Sequence, residues 1–223
     1  MSDNRPTDVS IDIKTLGKSY GAAVLSIGAA SFNRHTGKLG PTYYVKVQFE
    51  DALRFGRVDA STLQWWAQQG QVANKQVFGL GGEFLTMALQ GLNAYLATLP
   101  ANVCVWGNGP TFDMTLLEAM YAATSIECPW NNERVFLTVR DLRTIIDVAD
   151  FDKRSIPFTG TPHYALDDAI HQAKIAAACF QKLLGFVTTA PKCSLCGGAQ
   201  FETPSGITCV NGHGGAQSEE EAW

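Results

Sequence analysis

The sequence predicts a mixed α/β sheet with helices packed on it, followed by a small metal-binding appendage, and three observations carry this. Three consecutive stretches near the start have strand character, helices and strands alternate after them, and cysteines cluster near the end.

Each element follows in order. Val9–Thr15 reads as a strand ended by Gly17, and Ala22–Phe32 as a second. Tyr43, Val45, Val47 and Phe49 alternate with Tyr44, Lys46, Gln48 and Glu50, the pattern of a half-buried strand. His35-Thr36-Gly37-Lys38 supplies a turn between the last two, so the fold opens on three adjacent antiparallel strands. Ser61 suits the N-cap of a helix over Thr62–Gln69, and Glu83–Leu99 has helical apolar spacing. A buried strand at Val103–Trp106 leads through Gly107-Asn108-Gly109-Pro110 into a helix over Thr111–Ala123, and Val135–Val139 is a further strand. Leu166, Ile170, Ala173, Ala177, Phe180 and Leu184 fall on one face of a long last helix. Thr188–Lys192 reads as a linker, dividing a domain over 1–187 from an appendage over 188–223 with the acidic tail Glu219–Glu221.

Composition narrows the class. An apolar content of 46% with 17% charged residues suits a folded core, not a disordered chain. No apolar run approaches the roughly 20 residues of a membrane span, and Met1–Thr7 lacks a secretory apolar stretch, so a cytoplasmic protein is expected. The net charge of −4 argues against a protein that coats nucleic acid through a general basic field. It does not argue against a nuclease whose acidic site binds metal.

Four residues make that chemistry plausible together. Asp12 interrupts an apolar strand, where an unpaired carboxylate is costly. Asp113 stands in the first turn after a strand end, and His163 precedes Asp168 by five residues at a helix start. Alone, each acid also suits a solvated or helix-terminal position. Converging, three carboxylates suit Mg²⁺ or Mn²⁺, two such ions can split a phosphodiester, and a histidine can take the proton of the attacking water.

The stretch Ile11-Asp12-Ile13-Lys14-Thr15-Leu16-Gly17 resembles the first motif of the DEDDh, or DnaQ-like, 3′-5′ exonucleases, usually Asp-x-Glu-Thr. Ala23–Ala29, Trp65-Trp66, Trp106–Asp113, Arg140–Thr144 and His163–Ala169 follow in order across roughly residues 8–185. The set is most similar to a phage and bacterial subgroup related to exonuclease VIII and exoribonuclease-like domains. The resemblance implies a ribonuclease-H-like fold and a metal-dependent enzyme that releases nucleotides from single-stranded RNA or DNA. It also implies Asp12, Asp113 and Asp168 as metal ligands and His163 as general base, with Asp167 only a neighbour. Thr15, Leu16, Trp65, Trp66, Asn108 and Phe112 become candidate contacts to the terminal nucleotides, although core packing competes for the tryptophans.

The departure is Lys14, where the family has its second carboxylate, two residues from Asp12 and so on the same strand face. Three readings follow: a disarmed enzyme, a non-catalytic nucleic-acid- or protein-binding module on the same fold, or an enzyme in which the ammonium replaces a cation.

Cys193 and Cys196 form a CxxC knuckle, and Cys209 with His213 completes a second pair. Four such ligands suit a closed, structural, tetrahedral Zn²⁺. A redox CxxC is the alternative, and a zinc ribbon of this kind would contact nucleic acid or a protein partner. Gly79-Leu80-Gly81-Gly82 does not continue into a dinucleotide-binding pattern.

Overall fold

The computed structural model describes residues 5–130, 139–189, 193–198, 200–203 and 206–209. The chain divides into two compact units, Met1–Phe180 and Gln181–Trp223.

In the first unit, strands β1 (Asp8–Thr15), β2 (Val24–Phe32), β3 (Leu39–Lys46), β4 (Cys104–Gly107) and β5 (Val139–Asp141) form one sheet in the order β3-β2-β1-β4-β5. β1 is central: antiparallel to β2, parallel to β4. Side chains alternate along a strand, and β1 uses both faces. Val9, Ile11 and Ile13 enter a core shared with Leu89 and Leu92 of helix α4 (Leu85–Ala97) and Leu117 of helix α5 (Pro110–Thr124). Ser10 and Asp12 face the other way, where both bond Gln172 of helix α7 (Ala165–Thr189). A strand covered on both faces must be buried throughout, and β2 is buried at every position.

One glycine lets α7 in. Gly28 lies opposite Asp12 in the β1–β2 register, and a Cβ there would stand 2.3 Å from the backbone of Ala165 and Leu166. The first turn of α7 therefore rests directly on β2, beside the polar face of β1.

Several boundaries differ from the sequence reading. The third strand stops at Lys46, and Phe49 and Glu50 begin helix α1 (Phe49–Phe55). Helix α2 (Ala60–Ala67) starts before Ser61; Asp59 occupies the N-cap without a capping bond, its carboxylate instead accepting from the Lys18 N–H. Helices α3 (Gln71–Phe78) and α6 (Leu142–Val148) were not anticipated. Of the strand expected over Val135–Val139, only Val139 is described, and it begins β5. α7 continues through Thr188 and Thr189, so the linker cannot start at 188.

The second unit carries a hairpin of β6 (Gln200–Thr203) and β7 (Gly206–Cys209). Among the described residues no helix is long and apolar enough to cross a membrane.

Candidate active site

The polar face of β1 meets the start of α7 at Lys14. Its Nζ donates to Asp12 Oδ2 at 2.6 Å and to Asp168 Oδ2 at 2.5 Å, so one ammonium bridges two carboxylates. Gln172 Nε2 donates to the other Asp12 oxygen at 2.8 Å. Burial works against the charge on Lys14, but Asp12 and Asp168 outweigh it and hold the ammonium above the ordinary lysine value. Asp113, on the first turn of α5, is buried, and the Ile13 N–H donates to its Oδ1 at 3.4 Å. Burial, and then the nearby charge of Asp12, push its carboxyl up to about 8, so it is largely protonated at neutral pH. The fold thus brings together the three expected carboxylates and Lys14.

As it stands, this donor set does not fit a pair of divalent ions. Mg²⁺ requires oxygens at about 2.0–2.1 Å, and the Asp12 and Asp168 oxygens that would face such an ion are already engaged by an ammonium.

His163 sits at the edge of the cluster in the left-handed backbone region (φ 65°). The Asp167 carboxylate accepts from the Thr161 N–H at 2.7 Å and so fastens the loop leading to it. Its ring packs edge-on against Trp65, with centroids 4.9 Å apart, and lies 6.5 Å from Trp66.

Two cavities meet at Lys14 and His163. The smaller, about 200 Å³, is lined also by Thr15, Trp65, Trp66 and Phe112. Trp65 is partly exposed there, whereas Trp66 is buried and its indole N–H donates to the Thr15 carbonyl at 2.9 Å. Leu16 is fully buried in the core and lines neither cavity. The larger, about 660 Å³, is lined by Asp12, Asp168 and Asn108 and extends to Lys153, Phe158 and His171. Sequence reasoning missed Gln172, which one signal pointed to: it follows Asp168 by four residues, one helical turn along the same face. Nothing in the sequence marked the segment 153–158.

These features agree with comparisons to known proteins. The sequence signature described as the 3′-5′ exoribonuclease Rv2179c-like domain matches residues 7–180. The chain belongs to this family. Its description as a 3′-5′ exoribonuclease domain agrees with the exonuclease resemblance of the motifs from Asp12 to Asp168. No curated protein matches by sequence. Solved structures share the fold at low identity. The nuclease domain of 3′hExo, a DEDDh family member bound to rAMP, is 15% identical over 81% of this chain and 94% of its own, with a TM-score of 0.53. The E. coli ExoI–ssDNA complex in its zinc-bound form is 12% identical over 83% of this chain and 42% of its own, at 0.56. Pop2p of S. pombe, bound to Mg²⁺ and Mn²⁺, is 17% identical over 79% of this chain and 85% of its own, at 0.50. A phage connection finds no support in these likenesses.

The second unit brings the Sγ atoms of Cys193, Cys196 and Cys209 within 4.8 Å of one another. Cys196 and Cys209 stand 3.7 Å apart, far beyond the ~2.05 Å of a disulfide. A tetrahedron with Zn–S near ~2.3 Å has edges of about 3.8 Å, so the thiols fit that ion. The knuckle is shaped by Gly197 (φ 72°), whose N–H donates to the Cys193 carbonyl. His213 lies outside the described residues.

Proposed function

We propose that this chain holds the 3′ end of single-stranded nucleic acid at an exonuclease site whose hydrolysis is held down by Lys14. The observation that carries this is the Lys14 ammonium bonded to Asp12 and Asp168 at once. The family supports RNA as the substrate class. The smaller cavity takes the terminal nucleoside, with Trp65 and Phe112 offering ring faces that accept any base.

With glutamate at position 14 the cluster would have the composition for Mg²⁺ or Mn²⁺, held by Asp12, Asp113, Asp168 and that glutamate; such ions would supply charge stabilisation at the phosphodiester. His163, at the junction of the two cavities, then takes a proton from the attacking water. In the present chain Lys14 leaves mainly the binding half of that function, which favours the second reading as well: a binding module on an exonuclease fold. Cys193, Cys196 and Cys209, with His213 as fourth ligand, hold a structural Zn²⁺.

The test is equilibrium binding of a fluorescent single-stranded oligoribonucleotide to the unaltered chain, with free and with blocked 3′ ends. Preference for the free 3′ hydroxyl is expected. Equal binding of both, or none, refutes the reading.

A further inference from the structure

The Lys14 ammonium has three protons to donate. Two are spent on Asp12 Oδ2 at 2.6 Å and Asp168 Oδ2 at 2.5 Å. The third has no acceptor among the described residues. The ammonium is fixed from two sides, since Asp12 belongs to its own strand and Asp168 to the first turn of α7. The second Asp12 oxygen accepts from Gln172 Nε2 at 2.8 Å, and Ser10 Oγ donates to Gln172 Oε1 at 3.3 Å. A chain of bonds thus runs from Ser10 through Gln172, Asp12 and Lys14 to Asp168, and every atom in it belongs to the protein.

Lys14 also stands where an anion would meet it, because Lys14 and His163 line both cavities of the site. A phosphate brought there approaches Asp12 and Asp168, and two uncompensated carboxylates would repel it strongly at low effective dielectric. The ammonium offsets part of that charge while bonded to both. Its remaining proton can form a charge-assisted bond, the kind an ammonium makes to phosphate at about 2.7–2.9 Å. The donor set that fits no pair of divalent ions therefore carries a cation of its own, one that offsets the acids and can contact the anion.

We infer that this chain binds single-stranded nucleic acid without a divalent ion, through a direct bond from Lys14 Nζ to an oxygen of the last phosphodiester. This rests on the reading that the chain holds nucleic-acid 3′ ends, and it adds how the charge at that site is met. Lys14 is then a binding residue and not only a missing ligand. Two consequences separate it from a site that is merely disarmed. Chelating metal leaves the affinity unchanged, and removing the lysine weakens the strand's hold instead of making room for it. A phosphate contact of this kind positions a strand without reading its sequence.

The experiment measures equilibrium binding of a short single-stranded oligoribonucleotide by the unaltered chain, by Lys14→Gln and by Lys38→Ala, an exposed lysine outside both cavities. Each is titrated in EDTA and in Mn²⁺ at one ionic strength, and in EDTA across a salt series, with thermal melts confirming the fold. A second probe replaces the last phosphodiester by a neutral methylphosphonate, and both probes carry a deoxyribose ahead of that linkage for stability. The unaltered chain should bind the charged probe equally well in EDTA and in Mn²⁺, and the neutral probe on the order of tenfold more weakly. Lys14→Gln should bind the charged probe about tenfold more weakly in EDTA and lose nothing further on the neutral one, because the pair is already broken. Its log–log salt slope should fall by ~0.7, the share of one phosphate contact on a single strand. Lys38→Ala should match the unaltered chain. Binding by the unaltered chain that depends on Mn²⁺ overturns the inference with no variant needed. So does a folded Lys14→Gln that binds both probes as the unaltered chain does, or that loses as much again on the neutral probe. An equal loss in Lys38→Ala overturns it too. A chain that binds neither probe in either condition overturns the functional reading and this inference together.

Discussion

Replacing Lys14 by glutamate should convert the cluster from one that holds its own cation to one that needs an external one. The ammonium lies 2.6 Å from Asp12 Oδ2 and 2.5 Å from Asp168 Oδ2. A divalent ion bonded to either oxygen at about 2.1 Å would stand at most about 4.7 Å from Nζ, the sum of the two bonds. At an effective dielectric near 20 a repulsion of at least about 7 kcal/mol follows. The lysine can relieve part of it by swinging into one of the two cavities that it lines. A conservative expectation is therefore a gain of at least about a hundredfold in Mn²⁺ affinity, or ~2.7 kcal/mol. Lys14→Gln removes the positive charge without adding a ligand and should fall between the two. Calorimetric titration with Mn²⁺ reads all three chains. Equal affinity in the unaltered chain and Lys14→Glu would refute the electrostatic reasoning, and tight binding by the unaltered chain would show that Lys14 does not occupy the ion's place.

Further expectations rest on other groups. In a Lys14→Glu background, His163→Ala should slow release of nucleotides by about 10²–10⁴-fold with single-strand binding retained; an unchanged rate removes His163 as the base. Asp113 has a folded pKa raised to about 8, so the folded state holds a proton that the unfolded state gives up above ~4, and stability falls as pH rises from about 4 through 8. Asp113→Asn should therefore raise the melting temperature more at pH 8 than at pH 5, and equal shifts at both would contradict the buried, protonated carboxyl. Elemental analysis should find one zinc per chain, lost in Cys193→Ser; a metal-free native protein removes the zinc site.

The three-strand meander was legible because β1 to β3 alternate or run apolar as buried strands must. The short helices α1, α3 and α6 were not: seven or eight residues carry little periodicity, and packing fixes them. Phe49 and Glu50 continued the alternation of β3 and so read as strand, although the chain turns into α1 there. Thr188 and Thr189 have weak helix propensity, yet α7 runs through both. At the site, strand geometry placed residue 14 on the face of Asp12, but nothing local could bring Asp168, 154 residues further on, onto the same ammonium. That contact depends on Gly28 admitting the first turn of α7. The larger cavity escaped notice because the segment 153–158 matches no motif; only tertiary packing gathers it with Leu142 and Ile146 of α6 beside Asp12.

If Lys14 separates binding from cutting, reversing its charge should restore hydrolysis. A 5′-labelled single-stranded oligoribonucleotide is incubated with Mg²⁺ or Mn²⁺ and either the unaltered chain or Lys14→Glu, and products are resolved to single nucleotides. A ladder shortening from the 3′ end with Lys14→Glu, and an intact band with the unaltered chain, is the predicted result. Rapid shortening by the unaltered chain, or an inert Lys14→Glu that also binds no metal, would contradict it.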